Sequence, residues 1–153
     1  MTLRLVKKIE LSLSVQYAVE STQLPDRHQV RRWVQAACEP LDACITVRFV
    51  GRTEGRKLNR DYRGKNSPTN VLAFDYGRSG RGQMQGDLVV CFPVVEEEAF
   101  QQAMPVIAHC TRIIVHGILH LRGFDHRTDE EEAHMVEQER RILSRFLMQS
   151  AVR

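Results

Sequence analysis

Strict alternation of apolar and polar residues is clearest near the start of the chain, where one side carries Ile9, Leu11, Leu13, Val15 and Tyr17. This period of two predicts a half-buried strand over 9–17. Shorter apolar runs predict three further strands at 45–50, 71–74 and 87–92. The stretch 77–86 contains four glycines and predicts a flexible connection between the last two strands.

Helical spacing of apolar residues predicts two helices in the first half of the chain. The first runs from about Asp26 to Glu39, after a proline and an aspartate that suit a helix start. The second has Thr53 as its cap and continues through Tyr62, although Gly55 weakens this interpretation.

Three more helices are predicted in the second half. Pro93 opens one that reaches about Gln102, and Pro105 opens a largely apolar one that must be buried on most sides. Thr128 or Asp129 caps the last, whose first turn is acidic and whose core positions are Ile142, Leu143, Phe146 and Leu147.

The helix that starts at Pro105 carries a pair of histidines at metal-clamp spacing. His116 and His120 are four residues apart, so both project from one helix face. Gly123 can adopt the left-handed conformation that ends a helix, which would turn His126 back toward the pair. Three neutral imidazoles leave one position of a tetrahedral zinc ion open, as in catalytic sites. The sequence therefore predicts one Zn²⁺ ion, although imidazole also suits other divalent metals.

These elements alternate between strands and helices before ending in three helices, which predicts an α+β fold. We expect a small mixed β-sheet packed with about five helices, with the metal-binding helix central in a zinc-hydrolase-like arrangement. The length of 153 residues and 42% hydrophobic content suit a single domain over 1–153.

Charge is distributed unevenly, although the net charge is only +3. The segment 52–65 has only two acidic residues, Glu54 and Asp61. It has six cations, namely Arg52, Arg56, Lys57, Arg60, Arg63 and Lys65. The segment 129–139 is strongly acidic. Only the first of these segments suits contact with phosphates.

Cysteine usage and hydropathy favour a cytoplasmic protein. The four cysteines form no Cys-x-x-Cys pair and have apolar neighbours, so we expect buried free thiols: Cys38, Cys44, Cys91 and Cys110. We expect neither a signal peptide nor a membrane partner, because no apolar run is long enough.

Three segments make the chain resemble the YbeY family of bacterial endoribonucleases. The family pattern His-Gly-x-Leu-His-Leu-x-Gly-aromatic-Asp-His is matched at every defined position over 116–126. Leu-Asn-x-x-Tyr-Arg-x-Lys is matched over 58–65, and Gly-Asp-Ile/Leu-Val over 86–89. Residues 69–74 resemble Thr-Asp/Asn-Val-Leu-Ser-Phe. The chain departs from related sequences at Ala73, Asp75 and Arg112, where serine, proline and histidine are common.

The resemblance implies a zinc-dependent endoribonuclease, specific for single-stranded RNA, that acts in 16S rRNA 3′-end maturation and ribosome quality control. Its implied partners are rRNA, the small ribosomal subunit and associated factors. His116, His120 and His126 would bind the zinc, and Arg63 would lie in the active cleft.

Arg63 and His116 are therefore the predicted catalytic residues, since a guanidinium can stabilise charge on phosphorus while the imidazole holds the metal. Arg63, Lys65 and Arg60 are the predicted substrate-binding cations. Asp125 and Asp87 are predicted to support the site by orienting an imidazole or anchoring a loop.

Two other function classes stay open, as does the attacking nucleophile. A zinc peptidase or other metal hydrolase would share the histidines, but the peptidase motif His-Glu-x-x-His has its basic glutamate where this chain has Gly117. A noncatalytic ribosome-associated factor would use the metal structurally. In the nuclease, the nucleophile is either water or the 2′-hydroxyl of the RNA.

Overall fold

The computed structural model describes residues 8–146, and its elements follow the predicted order. The strands are β1 (Leu11–Ala18), β2 (Ala43–Val50), β3 (Val71–Arg78) and β4 (Met84–Cys91). The helices are α1 (Arg27–Cys38), α2 (Arg52–Arg63), α3 (Phe92–Gln101), α4 (Val106–Leu121) and α5 (Asp129–Leu143). The predicted α+β class, with a small mixed sheet and five helices in the described part, is confirmed.

The sheet has the strand order β1-β2-β4-β3. β1, β2 and β4 are parallel, whereas β3 runs antiparallel to β4 along one edge of the sheet. The predicted alternation in β1 is confirmed, because Val15 is buried while its neighbours Ser14 and Gln16 are exposed. The sheet is therefore mixed because β3 alone reverses direction.

The glycine-rich stretch 77–86 is not the flexible connection that its composition predicts. β3 and β4 extend into it from both sides and leave only a short turn at 79–83. Within the turn, the Ser79 N–H donates to the Gln83 carbonyl at 2.9 Å and the Gly82 N–H donates to the Ser79 carbonyl at 2.8 Å. Backbone pairing makes this stretch a hairpin, since it satisfies groups that a loose loop would leave to water.

The start of α2 also differs from its prediction. Gly51 is the N-cap, the helix begins at Arg52, and Thr53 lies inside the first turn. Close packing explains why a glycine occupies position 55 within the helix, because a Cβ there would lie 3.0 Å from Cys91 Sγ at the end of β4. Elsewhere the caps are as predicted: Asp26 forms a capping box with Gln29 at α1, and the Thr128 side chain accepts from Glu131 N–H at α5.

Helix α4 lies at the centre of the main core, between the sheet and the other helices. Its residues Ile114, Val115, Ile118 and Leu119 are fully buried, which confirms a helix buried on most sides. A second, smaller cluster lies between the other sheet face and α2, and consists of Val50, Leu72, Val89 and Cys91 with Leu58, Phe74 and Val94 packed against it. At the chain end, Leu147 lies outside the described residues.

The cysteines are free thiols, but one is not buried. Cys38, Cys91 and Cys110 are buried, whereas Cys44 is exposed, contrary to its prediction. Cys44 pairs with Ser12 in the β1–β2 register and faces outward from the sheet. Burial raises the pKa of Cys38 and of Cys110 to about 12, so these two thiols stay protonated.

Over residues 8–146, no single helix is long and apolar enough to cross a membrane. The pair α3 and α4 passes that test only in combination, as two helices bent by 119° at their junction.

We predict that Gly86→Ala destabilises the fold. A Cβ at Gly86 would lie 2.7 Å from Leu121 Cδ1 on α4 and 3.0 Å from the Phe74 carbonyl oxygen. We expect the free energy of unfolding to fall by about 1–3 kcal/mol, measured by urea denaturation. Gly80→Ala is the matched control, since a Cβ there meets no atom within 4 Å. Equal stability of the two variants would contradict close packing of α4 on β4.

Candidate active site

A tight turn at the end of α4 brings the chain back toward its histidines. Gly123 has a φ of +100°, which confirms the predicted left-handed conformation. The Gly123 N–H donates to the His120 carbonyl at 3.0 Å and the Phe124 N–H donates to the Leu119 carbonyl at 3.1 Å. This pair of bonds is a Schellman motif, and His126 follows it directly.

The three predicted imidazoles lie together. Nε2 of His116 and Nε2 of His120 are 3.0 Å apart. The ring centroids of His120 and His126 are 5.5 Å apart. Two nitrogens that bind one zinc ion at about 2.0–2.1 Å can be at most about 4.2 Å apart. The spacing of His116 and His120 therefore allows both to bind one ion. The ring of His126 lies next to the ring of His120.

Asp125 adds a carboxylate to this group. One ligand atom from each of His120, Asp125 and His126 lies within 4.8 Å of the others. The Asp125 carboxylate accepts from the His126 backbone N–H at 2.7 Å and pairs with Arg127 at 2.8 Å. That backbone bond, followed by the Arg127 charge, lowers the pKa of Asp125. The sequence suggested Asp125 as an orienting group, and the structure also places it within reach of a metal.

Glu139 on α5 contacts His116, and sequence reasoning missed it. Its Oε1 atom is a hydrogen-bond partner of His116 Nδ1. A carboxylate at Nδ1 holds the imidazole proton there and leaves the Nε2 lone pair free for a metal. Glu139 belongs to an acidic helix in which no spacing signal distinguishes one glutamate from another. Only the docking of α5 on α4 selects it.

The environment of His120 favours the form that metals bind. Burial lowers the pKa of His120, and the neighbouring His116 and His126 lower it further. The neutral imidazole is therefore stabilised relative to the charged form. Metal coordination requires this neutral form, because protons compete with the ion for the same lone pair.

The histidines line a cleft of about 510 Å³ that also contains two arginines, Arg63 and Arg112. Arg63 is the last residue of α2, and Arg112 lies one helical turn before His116. Thr69, Asn70 and Ala73 contribute to the lining from the loop and strand that follow α2. Permanent cations and a cluster of imidazoles thus share one cavity, which suits an anionic substrate.

The two other predicted substrate-binding cations and the predicted supporting residue Asp87 lie away from this lining. Arg60 is exposed and lies 3.5 Å from Asp61, and Lys65 is exposed in the loop after α2. Asp87 accepts a hydrogen bond from the Tyr76 hydroxyl at 3.0 Å. Asp87 therefore anchors Tyr76 and does not contact the histidines. Substrate binding by Arg60 and Lys65 stays a prediction.

A second polar group, also missed from the sequence, lies along the cleft. His109 Nε2 is 2.9 Å from Glu98 Oε1, and Asn70 Nδ2 donates to the same oxygen at 3.0 Å. The contacts tie α3, α4 and the start of β3 together. The sequence contained one clue that His109 faces the cleft. His109 lies seven residues before His116 and so falls on the same helix face.

Gly117 lines the cleft with its backbone, but a side chain at this position would point against the sheet. A Cβ at Gly117 would lie 2.8 Å from Leu88 Cδ2, and Leu88 is fully buried. A glutamate at 117 would therefore have no room without moving β4 or its side chains. The position that supplies the base in zinc peptidases is here a packing contact.

Known proteins similar to this chain share one family description. A family model described as Endoribonuclease YbeY matches residues 14–147. Endoribonuclease YbeY of Burkholderia cenocepacia is 48% identical over 132 residues, covering 83% of this chain and 76% of the relative. That of Thiobacillus denitrificans is 47% identical over 137 residues, covering 90% and 92%. The solution structure of TM1509 from Thermotoga maritima is similar with a TM-score of 0.59 at 25% identity, covering 86% and 87% of the two chains.

We predict that Glu139→Ala weakens metal binding without unfolding the protein. Loss of the carboxylate frees the His116 ring to rotate and to change tautomer, so we expect the zinc Kd to rise about 10–100-fold. Competition with a chromophoric chelator measures it, and circular dichroism checks the fold.

Glu137→Ala is the matched control, because Glu137 lies on the same helix but pairs with Arg140. The same zinc Kd in both variants would show that the Glu139 carboxylate does not support the site.

Proposed function

This chain belongs to the Endoribonuclease YbeY family, and from that premise we propose that it cuts single-stranded RNA with the help of one Zn²⁺ ion. His116, His120 and His126 would hold the ion, and Asp125 lies close enough to assist. The observation that carries this proposal is the single cleft that contains both the imidazole cluster and Arg63.

Zinc, when bound, would supply Lewis acidity toward a phosphoryl oxygen and would increase the acidity of water at the site. Two features of the protein itself favour binding of the ion. Glu139 fixes the tautomer of His116, and burial keeps His120 neutral. Both effects favour imidazole lone pairs that point into the cleft, ready to coordinate a cation.

Arg63 and Arg112 give the cleft its preference for phosphate. A guanidinium stays charged at any physiological pH and can form two parallel hydrogen bonds to phosphate oxygens. Charge that builds on the phosphoryl oxygens during cleavage is stabilised by such donors in a confined site. Peptide substrates would gain little from two arginines, and the chain lacks a glutamate at position 117 to act as a peptidase base.

We extend the proposal to the cellular role and organisation. A single domain over 1–153 would act in the cytoplasm on rRNA, at the 16S 3′ end, and in ribosome quality control. Its partners would be the small ribosomal subunit and associated factors. Family membership supports this role, because the relatives at 47–48% identity carry the name Endoribonuclease YbeY.

The test combines metal analysis with cleavage of single-stranded RNA. We predict that Arg63→Ala retains its zinc but loses about 10²–10³-fold in kcat, as expected for removal of one donor to a charged transition state. His116→Ala should lose both zinc and cleavage. Arg56→Ala is the control for Arg63, since Arg56 is an exposed cation of the same helix that does not line the cleft.

Chelation by EDTA should abolish cleavage and added Zn²⁺ should restore it. Intact RNA together with cleaved casein would overturn the nuclease proposal in favour of a peptidase. Normal rRNA processing by folded His116→Ala and Arg63→Ala variants would instead indicate a noncatalytic factor. The product ends identify the nucleophile, because a 2′,3′-cyclic phosphate arises from attack by the RNA 2′-hydroxyl.

We predict that RNA binding weakens steeply with salt through counterion release. Removal of one phosphate-binding cation should make the slope of log K against log salt less negative by about 0.7. Lys65→Ala should show this change if Lys65 binds phosphate, whereas Arg141→Ala, on the acidic helix α5, should not. Fluorescence anisotropy at several salt concentrations measures the slopes. A parent affinity that is independent of salt would contradict a phosphate-binding surface.

A further inference from the structure

Two tyrosine rings are exposed together beside the cleft. Tyr62 and Tyr76 have 67% and 62% of their surface exposed, and they are two of the four large hydrophobic side chains that are exposed within residues 8–146. The other two, Phe100 and Val136, lie on α3 and α5. Exposed aromatic rings gain only part of their burial energy in the fold, so a pair of them on one surface is a candidate binding site for a ligand.

Both rings are held in place. Tyr62 packs edge-on against Phe74, with centroids 5.1 Å apart and ring planes at 76°. The Tyr76 hydroxyl donates to Asp87 at 3.0 Å, and Asp87 lies opposite Phe74 in the β3–β4 register. Phe74, Asp87 and Tyr76 therefore share the sheet face that α2 covers. The Asp87 carboxylate raises the pKa of Tyr76, and the nearby Tyr62 contributes to the same effect.

The tyrosine surface adjoins the cleft around an edge of the sheet. β3 is the edge strand, and its Ala73 lines the cleft while Phe74 points to the opposite face. Tyr62 directly precedes Arg63, which also lines the cleft. A chain that leaves the cleft past Arg63 would therefore pass close to Tyr62, and Tyr76 lies near Tyr62.

The chemistry of this corner fits a single-stranded nucleic acid. Its neighbours include two cations, Arg63 at the end of α2 and Lys65 in the following loop, beside the Asp87 carboxylate that holds the Tyr76 hydroxyl. Cations track a phosphate backbone, and aromatic rings stack on bases of any sequence. A purely apolar protein partner would leave these cations without anionic groups to pair with. The combination favours RNA as the occupant.

We propose that Tyr62 and Tyr76 form a stacking surface for unpaired bases of the RNA segment that extends out of the cleft. This proposal rests on the proposed nuclease function and adds a binding surface outside the metal site. Stacking without hydrogen-bond readout gives affinity for single strands with little sequence preference. Paired bases in a duplex cannot splay onto the rings, so the surface also selects against double-stranded RNA.

The test measures binding separately from cleavage. A fluorescein-labelled single-stranded RNA about 12 nucleotides long, enough to fill the cleft and the flanking surface, is titrated with the protein in EDTA, and anisotropy gives the Kd. We expect Tyr62→Ala and Tyr76→Ala each to raise the Kd at least about fivefold, as for loss of one stacked base. Tyr62→Phe and Tyr62→Trp keep a ring and should bind within about twofold of the parent, an upper limit set below the loss expected for a stacked base.

Two controls make the result specific. Phe100→Ala removes an exposed ring elsewhere and should leave the Kd unchanged. The same RNA made with abasic sites should bind weakly to the parent and equally weakly to Tyr62→Ala, because it has no bases to stack. Thermal unfolding checks that Tyr76→Ala, which loses its bond to Asp87, is folded.

Unchanged Kd values for folded Tyr62→Ala and Tyr76→Ala would overturn the stacking surface, even if the protein cuts RNA. Equal binding of the abasic and normal RNA by the parent would do the same. Base-dependent binding without zinc-dependent cleavage would instead overturn the proposed reaction and leave this surface standing. Self-association of the parent that the tyrosine variants lose, with RNA affinity unchanged, would assign the surface to a second copy of the chain.

Discussion

The close packing of α4 against β4 is the contact on which the rest of the site depends. Gly117 lies against the Leu88 side chain, and Gly86 lies against the Leu121 side chain, so at both places a leucine packs directly on a glycine backbone and brings helix and sheet close together. With its other faces buried, α4 cannot rotate, and the remaining stripe of the helix must line the cleft. His116 and His120 are fixed because their helix is fixed, which is how a buried scaffold holds the side chains of a site in position.

Around this fixed helix, the cleft combines two kinds of electrostatic environment. Burial and the neighbouring His116 and His126 lower the pKa of His120, and Glu139 sets the tautomer of His116. Arg63 contributes a charge that no change in physiological pH removes. Imidazole nitrogens that can bind a metal and permanent cations that can bind phosphate thus lie side by side. This division suits a phosphodiester substrate better than a peptide, and it agrees with membership in an endoribonuclease family.

Most of the fold could be predicted from the sequence, because apolar periodicity and cap residues act locally. Asp26, Pro93, Pro105 and Thr128 mark helix starts that the structure confirms. The errors occur where pairing or packing outweighs local preference. The glycines at 77–86 would favour a loose connection on their own, but β3 and β4 extend through them because each strand satisfies the backbone of the other.

The sequence by itself determined the histidine cluster, because His116, His120 and His126 are brought together by one helix turn and one left-handed glycine, both short-range features. Tertiary structure alone decided which carboxylate supports them. Glu139 comes from 23 residues away, and Glu98 reaches His109 from another helix. Among the cations at 52–65, it placed Arg63 in the cleft wall and left Arg60 and Lys65 outside. Side-chain spacing within one element is fixed by backbone geometry, whereas contacts between elements depend on how their apolar faces pack.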